Sequence, residues 1–568
     1  MRIVRDDITI SQLWREAVVA YPDRPFLCIP PNAERAYLPD GWEISYREAN
    51  HEITRLANVY TAAGYGLGHR IALLLDNRPE HVLHRLALNS IGVCVVPINP
   101  DYRPAETAYL FEHSEPQLVV GIIAREDQLA AALRASHHKP PVWFPERGDV
   151  PSGATSPPLA GEVEPATQAQ ILYTSGTTGR PKGCIVSHGY DASVGHWYAN
   201  LTEFAAMTRG QERIYNPLPL YHCNSGSVSL LGAVAGGNCQ IQTDRFAPTR
   251  WWREVKATRA SIVHYLGVVA PMLLGQLPSD ADRDHVVRFG FGAGIEPDLH
   301  RVFEERFGFP MVEVWGMTEM VRVLIASESP RQVGTRAFGR AVPGIDVKVV
   351  DDNDHEVADG TPGEMVIRHS AATPRRGAFS GYLKNPEETE RAWRGGWFHT
   401  GDTVQRDASG MLHFVDRKKN IIRRSGENIA AAEIEALLLT HPDVAQVAVM
   451  AVTDEVREEE VLACIVTTSA APGQDEAEAV FAFCNARLAY FKAPGWIWFT
   501  DALPTTGTQK IQKHVIFPDN SDPREAQWMI DLRHLKRRGS NSSRTRAVPA
   551  CRPGPARARR WRRAADAA

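Results

Sequence analysis

The stretch LYTSGTTGRPKG, Leu172 to Gly183, gathers hydroxyls, glycines and one lysine in a short span. Gly176 and Gly179 permit backbone angles that turn successive N–H groups toward a single anion. Thr174, Ser175, Thr177 and Thr178 add hydroxyl donors, and Lys182 adds a cation whose approach Pro181 stiffens. The chemistry is that of a phosphate cradle; the competing reading is a plain Gly/Thr surface turn. It is not the Walker loop G-x-x-x-x-G-K-[ST]. Pro181 stands where the second glycine belongs, and Gly183 replaces the hydroxyl that would hold magnesium. A ligand for Mg²⁺ therefore has to come from elsewhere in the chain.

EVWGMTEM places Glu319 in a turn after a strand. A carboxylate there suits Mg²⁺, which takes one or two carboxylates together with phosphate oxygens; the bland alternative is an exposed glutamate opening a helix. FGFGAGIEP carries Gly292, Ala293 and Gly294 in a turn that lets backbone approach a flat base, or that is simply a turn. Trp315 offers a ring for base stacking or for filling a core. GWFHTGD ends at Asp402, and an aspartate in a turn accepts two ribose hydroxyls. Arg417, in FVDRKKNIIRRSGENI, is placed to donate to the same sugar, against the alternative of a solvated basic run. LPTTGTQKIQK holds Lys510 in a Gly/Thr turn, which in isolation reads as a solvent lysine.

The elements that must position these groups read as layered α/β. RIALLLDN and VCVVPINP are buried strands around the helix EHVLHRLALNSIG, and strands alternating with helices argue for parallel sheets. A polar Pro/Gly-rich linker, residues 145–168, delivers the chain to the Gly/Thr loop, which leaves a strand, AQILYT. RIYNPLPLYH, NCQIQT, SIVHYLG, VVRFGFGAG and PMVEVWGMTEM are further strands entering turns. DVKVVDDNDHEVADGTPGEMVIRH predicts an antiparallel hairpin. A compact α+β unit follows from about residue 420, with AAAEIEALLLTHP, VAQVAVMAV, VLACIVTT and the helix DEAEAVFAFCNARLA.

Length and composition fit this. The chain has 568 residues, 43% hydrophobic and 23% charged, room for more than one domain of ordinary globular type. The longest apolar run, IVHYLGVVAPMLLG, is broken by His264 and Pro271 and is too short to span a bilayer. The N-terminus lacks a secretory pattern, and the eight cysteines show no metal-type spacing, so a cytoplasmic setting is expected. The net charge of −4 hides an asymmetry: from Lys536 onward, that lysine and ten arginines face one acid, Asp566. This Arg/Pro/Gly/Ser-rich tail has too little apolar surface to offset its ordering entropy and reads as disordered. No nucleic-acid partner is expected; oligomeric state is open.

The order of the motifs carries a resemblance that none carries alone. A Thr/Ser/Gly loop with lysine, then WGMTE, TGD, DRKK…GENI…EIE and a late lysine resembles the adenylate-forming superfamily, specifically its acyl-CoA synthetases, over about residues 8–520. PLYHCNS, RSGENIAAAEIE and GTQKIQKH resemble the crotonobetaine/carnitine–CoA ligase-like branch. Trp315 stands where tyrosine is commoner, GAGIEP replaces GAAPL, Gln509 precedes the late lysine where glycine is usual, and Thr505 stands where a basic residue is common.

The resemblance implies a large α/β N-terminal domain with a β subdomain, 1–416, a small mobile α+β domain, 417–535, and a tail, 536–568. It implies ATP, Mg²⁺, coenzyme A and a small-molecule carboxylic acid as reactants, with acyl-AMP as intermediate. Thr174, Ser175, Gly176, Thr177, Thr178, Gly179 and Lys182 would cradle the β and γ phosphates. Thr318 would meet the α-phosphate and Glu319 would hold the metal. Gly292, Ala293, Gly294 and Trp315 would frame adenine; Asp402 and Arg417 would bind ribose. His222 would sit at the acyl carboxylate, Gly426 would line the pantetheine tunnel, Lys419 would be the hinge and Lys510 the catalytic lysine. A carrier-protein thiol as acceptor, a light-producing oxygenase and an inactive nucleotide-binding homologue are the alternatives, and the identity of the acid is open.

Overall fold

The computed structural model describes residues 5–151, 154, 156–174, 181–267, 269–417, 421–468, 472–504, 511, 513, 516–517 and 522–537. Two sheets build the large α/β part. In the first, Arg70–Leu74, Cys94–Pro97, Leu118–Gly121 and Val142–Trp143 run parallel, and Gln168–Thr174 joins them beside Cys94–Pro97. Their runs of Val, Leu and Ile are buried throughout, as a sheet covered on both faces requires. The chain then doubles back: Gln168–Thr174 pairs antiparallel with Lys182–Ser187, with Thr174 opposite Lys182. The Gly/Thr loop is thus the connection of a hairpin, whereas a Walker loop runs from strand into helix.

The second sheet has a parallel centre made by Cys239–Gln242, Arg213–Asn216, Ile262–Leu266, Phe289–Ala293 and Met311–Met317. Met320–Ile325 closes one edge antiparallel to Met311–Met317, which leaves Thr318 and Glu319 in the tight turn between them. That turn corrects the alternative in which Glu319 opens a helix. Helices pack between the sheets. Tyr46–Ala62 begins at a capping box in which Ser45 accepts from the Glu48 N–H while the Glu48 carboxylate accepts from the Ser45 N–H. His188–Tyr198 is buried along most of its length and meets Pro79–Ser90 through a fully buried ion pair, Arg85 to Asp191 at 2.7 Å.

A five-stranded antiparallel sheet follows, including the hairpin Asp346–Val350 with Gly363–Arg368, in register Val347 to Ile367. Phe398–Arg406 lies centrally in it and pairs Asp402 with Arg417 of Leu412–Arg417. The small α+β unit is built on the long antiparallel pair Val444–Asp454 and Glu458–Thr467, flanked by Ile421–Arg424, Glu427–Ala430, Trp496–Phe499 and Met529–Asp531. Helices Ala431–Leu438 and Gln474–Asn485 bury Ile434, Leu438, Val480 and Phe481 against one face. Lys536, assigned to the tail by composition, is buried in this unit and donates to Glu460 and to the Phe491 carbonyl. Among the described residues no helix is long and apolar enough to cross a membrane.

Candidate active site

A cavity of about 280 Å³ opens where the two sheets, the antiparallel subdomain and the small unit meet. Thr174, Lys182, His222, Ala293, Thr318, Glu319, Asp402 and Gly426 all line it. The strand ends after which these residues sit are a natural place for such a cleft in an open α/β sheet.

Each polar group is fixed from behind. Glu319 is 6% exposed, and its carboxylate accepts from the Tyr382 hydroxyl at 2.8 Å. Burial, then the Glu319 charge, pushes the Tyr382 hydroxyl far above its usual range, so it stays protonated and donates. One buried carboxylate facing the cavity, its other oxygen free of that bond, suits Mg²⁺ carried in with phosphate oxygens. Thr318 is held by its carbonyl, which accepts from the buried Tyr190 hydroxyl at 2.7 Å. Lys182 pairs with Glu388, and its ammonium lies 5.0 Å above the Tyr382 ring. An incoming polyphosphate would compete with Glu388 for it.

Asp402 is 4% exposed and accepts from Trp315 Nε1 at 2.8 Å. Trp315 itself is buried beside Phe338 and does not line the cavity. Its expected stacking role gives way to a positioning one. Of the three residues expected to frame adenine, Ala293 lines the cavity, Gly292 is buried in its strand and Gly294 is exposed in the turn that follows. A Cβ on Gly292 would stand 2.2 Å from the Tyr265 carbonyl, and Gly294 has φ of +85°, so close strand packing and a left-handed turn explain both glycines. The buried Glu313 shapes this turn, accepting from Tyr265 Oη at 2.6 Å and from the Gly294 and Ile295 N–H groups.

His222 begins the segment leading to Asn224–Ser229, a π-helical turn of the kind found at functional sites. Arg85 donates to the Gly226 carbonyl, and Gln170 bridges Asp191 and Ser227 at 2.9 and 2.8 Å. From the small unit, Glu427 approaches His222 Nε2 to 3.5 Å and accepts from the Tyr221 hydroxyl at 3.0 Å. Burial works to raise the Glu427 carboxyl, but His222, Tyr221 and Lys492 outweigh it and hold it below its ordinary value. Gly426, with φ of +86°, presents its bare backbone to the cavity wall, and a Cβ there would stand 2.6 Å from Leu266. A side chamber of about 60 Å³ continues past His222 and Thr318 toward Glu433 and Lys492.

Ser175, Gly176, Thr177, Thr178, Gly179, Lys419 and Lys510 lie outside the described residues, and of Arg417 only the strand position opposite Asp402 is described. Tyr382, Tyr190, Glu388, Glu427 and Asn224 were missed by sequence reasoning. Each acts through a partner distant in the chain, and only Glu427 and Asn224 fall inside motifs already singled out.

The fold, a large α/β part with a smaller α+β part beside a shared cleft, is that of an ATP-dependent ligase. The AMP-binding enzyme family matches residues 14–383 and its C-terminal domain matches residues 433–510, and the chain belongs to this family. The crotonobetaine/carnitine–CoA ligase of Escherichia coli O157:H7 (strain EC4115 / EHEC) is 30% identical over 82% of this chain and 92% of its own length. Among solved structures, a malonyl-CoA ligase ternary product complex with methylmalonyl-CoA and AMP aligns with TM-score 0.69 at 25% identity, covering 85% of this chain and 97% of that one. ATP-bound MatB from Rhodopseudomonas palustris aligns with TM-score 0.61 at 25% identity, covering 89% and 98%. The chain is an AMP-forming acid–thiol ligase: it activates a carboxylic acid with ATP and transfers the acyl group to coenzyme A.

Proposed function

We propose that this one cavity hosts both half-reactions, acyl-AMP formation with loss of pyrophosphate and then thioester formation with release of AMP. The observation that carries the assignment is convergence: Lys182, His222, Thr318, Glu319, Asp402 and Gly426, scattered along the chain, line a single cavity. In the first step a carboxylate and a triphosphate, both anions, must meet in line. Fixed cations and N–H donors offset their repulsion at no reorganisation cost during the reaction. Lys182 and the loop before it would take the β and γ phosphates, Thr318 the α-phosphate, and Asp402 with Arg417 the ribose. Glu319 would hold Mg²⁺ with phosphate oxygens, and the bound ion would neutralise charge on the leaving pyrophosphate. His222 would meet the acyl carboxylate, and Ala293 would border the base.

The placement of the small unit supports a two-arrangement scheme. Gly426 and Asn428 face the cavity, whereas the neighbours of Lys510 sit elsewhere: Ile511 packs with Val452 and Trp496, and Lys513 donates to the Val449 carbonyl at 2.8 Å and pairs with Glu435. Rotation about Lys419 would bring Lys510 to the cavity for adenylation. The acid is a short one, since a cavity of about 280 Å³ must hold it together with part of the nucleotide, its chain against Val228, Leu266, Phe291 and Val314. A cytoplasmic setting agrees with the described cysteines, which are all unpaired.

Lys510→Ala tests the assignment. Adenylation should fall by about 10²–10³, while thioester formation from supplied acyl-AMP persists. Adenylation near the wild-type rate would make Lys510 a solvent lysine; equal loss of both steps would remove the two-arrangement scheme.

A further inference from the structure

The π-helical wall of the cavity terminates a chain of hydrogen bonds whose direction is set from its far end. The Leu218 N–H donates to Asn216 Oδ1 at 2.9 Å, so Asn216 turns its amide nitrogen the other way. That nitrogen donates to Ser229 Oγ at 2.8 Å and to Asn224 Oδ1 at 3.0 Å. Asn224 therefore shows its oxygen, not its nitrogen, to Asn216. The same oxygen lies 2.7 Å from His264 Nδ1, which must carry a proton to donate to it. The ring's other nitrogen, Nε2, then accepts from the Tyr198 hydroxyl at 2.6 Å. Tyr198, Asn216 and His264 are fully buried, and burial brings the His264 pKa down to about 3, which keeps the ring neutral and the tautomer single.

With its oxygen engaged twice, Asn224 points its Nδ2 away from this network. Asn224 lines the cavity, and among the described residues that nitrogen has no acceptor. The surrounding wall is apolar: Val228, Leu266, Phe291 and Val314. The carboxylates lining the cavity are Glu319 and Asp402, and the lysine is Lys182, all on the nucleotide side by the roles proposed above. Beyond them Glu427 stands against His222 and Tyr221, already paired. Among the described residues lining the cavity, a cationic tail or a second carboxylate on the acid would find no unpaired counter-charge beside Asn224.

We infer that Asn224 is a specificity-determining residue that selects a short carboxylic acid carrying an uncharged hydrogen-bond acceptor, a ketone, hydroxyl or amide oxygen, on its chain, with Tyr198 and His264 as positioning residues that hold its amide in the donating orientation. The inference rests on the ligase reading and names its substrate class. A hydrocarbon chain would cover the Asn224 N–H groups and leave them unpaired, which is the circumstance in which a site built to hydrogen-bond rejects an analogue most strongly.

The test measures kcat/KM for CoA-thioester formation with matched acids, 4-oxopentanoate against pentanoate and 3-hydroxybutanoate against butanoate. The wild type should favour the acceptor-bearing acid by about tenfold or more in at least one pair. Asn224→Asp keeps both bonds into the wall while replacing the donor with an oxygen. It should lower the oxo-to-plain ratio by at least about tenfold and leave turnover of pentanoate measurable. Tyr198→Phe frees His264 to change tautomer and should lower the same ratio by a smaller factor, through KM more than kcat. A wild type that favours the plain acid in both pairs, or an oxo-to-plain ratio unchanged in both variants, overturns the inference and leaves the ligase reading intact. If no acid supports release of AMP and pyrophosphate, the ligase reading fails and the inference fails with it.

Discussion

Glu319 and Gly426 show how much single residues owe to their surroundings. A glutamate in a two-residue turn is an ordinary surface group until Tyr382 donates to it and the cavity wall closes around it. Glu319→Gln keeps the volume and the Tyr382 contact but removes the charge. Adenylation should fall by about 10²–10³, with the apparent Mg²⁺ requirement rising; an unchanged Mg²⁺ titration would remove Glu319 from the metal site. Gly426→Trp should separate the half-reactions the other way. The glycine has positive φ, and a side chain there would meet Leu266 in the cavity wall, beside the thiol route proposed above. Pyrophosphate exchange should survive while acyl-CoA formation fails, and equal loss of both would contradict its assignment. Trp315 marks the limit of reading residues singly. Its ring type suits a base and a core equally, and only the bond to Asp402 decides that it serves the site from behind.

At the scale of elements, one lysine ties the small unit to the large one, beside the Glu427 contacts with Tyr221 and His222 and the Arg103 bonds to Asn485 and Leu488. Lys492 Nζ donates to Glu433 at 2.8 Å within its own unit and to Glu106 at 2.6 Å on the helix Pro104–Ser114 of the large one. Burial works against the Lys492 charge, but Glu106 and Glu433 outweigh it and hold the pKa well above that of an ordinary lysine. A raised lysine pKa contributes stability that is fully present below the ordinary value and fades as pH climbs past it. Burial raises the Glu106 carboxyl in turn, and the Lys492 charge works against that rise. Glu106→Gln keeps the helix cap at Arg103 and removes one charge. Thioester formation should drop by about tenfold, the loss of one charge-assisted bond, while pyrophosphate exchange stays within a few-fold; a parallel fall in both would show that the contact serves stability alone. The strands were legible where burial makes them uniformly apolar, as in IALL and CVV, and the hairpin Asp346–Arg368 where turn residues separate alternating runs. The π-helical turn at Asn224 and the antiparallel pairing of the strands on either side of the Gly/Thr loop were not legible. Both depend on partners far along the chain: Arg85, Gln170 and His264 for the one, Lys182–Ser187 paired to Gln168–Thr174 for the other.

The whole molecule buries several histidines as neutral rings. Burial takes His81 and His84 down to about 3 and His188 to about 4. A depressed histidine pKa contributes stability that is present above the unfolded value near 6.5 and is lost as pH falls toward the folded one. Unfolding free energy should therefore decline steeply from pH 6.5 toward 4. His84→Gln should reduce that slope by about one proton, measured by urea unfolding across the range; an unchanged slope would show that His84 is not buried neutral. The overall chemistry stands or falls on a single assay. With ATP, Mg²⁺ and a panel of short acids, the purified enzyme should exchange labelled pyrophosphate into ATP only when an acid is present. Adding coenzyme A should then release AMP and acyl-CoA in equal amounts. Exchange without acid, or ADP as the nucleotide product, would contradict an acid–thiol ligase built on this cavity.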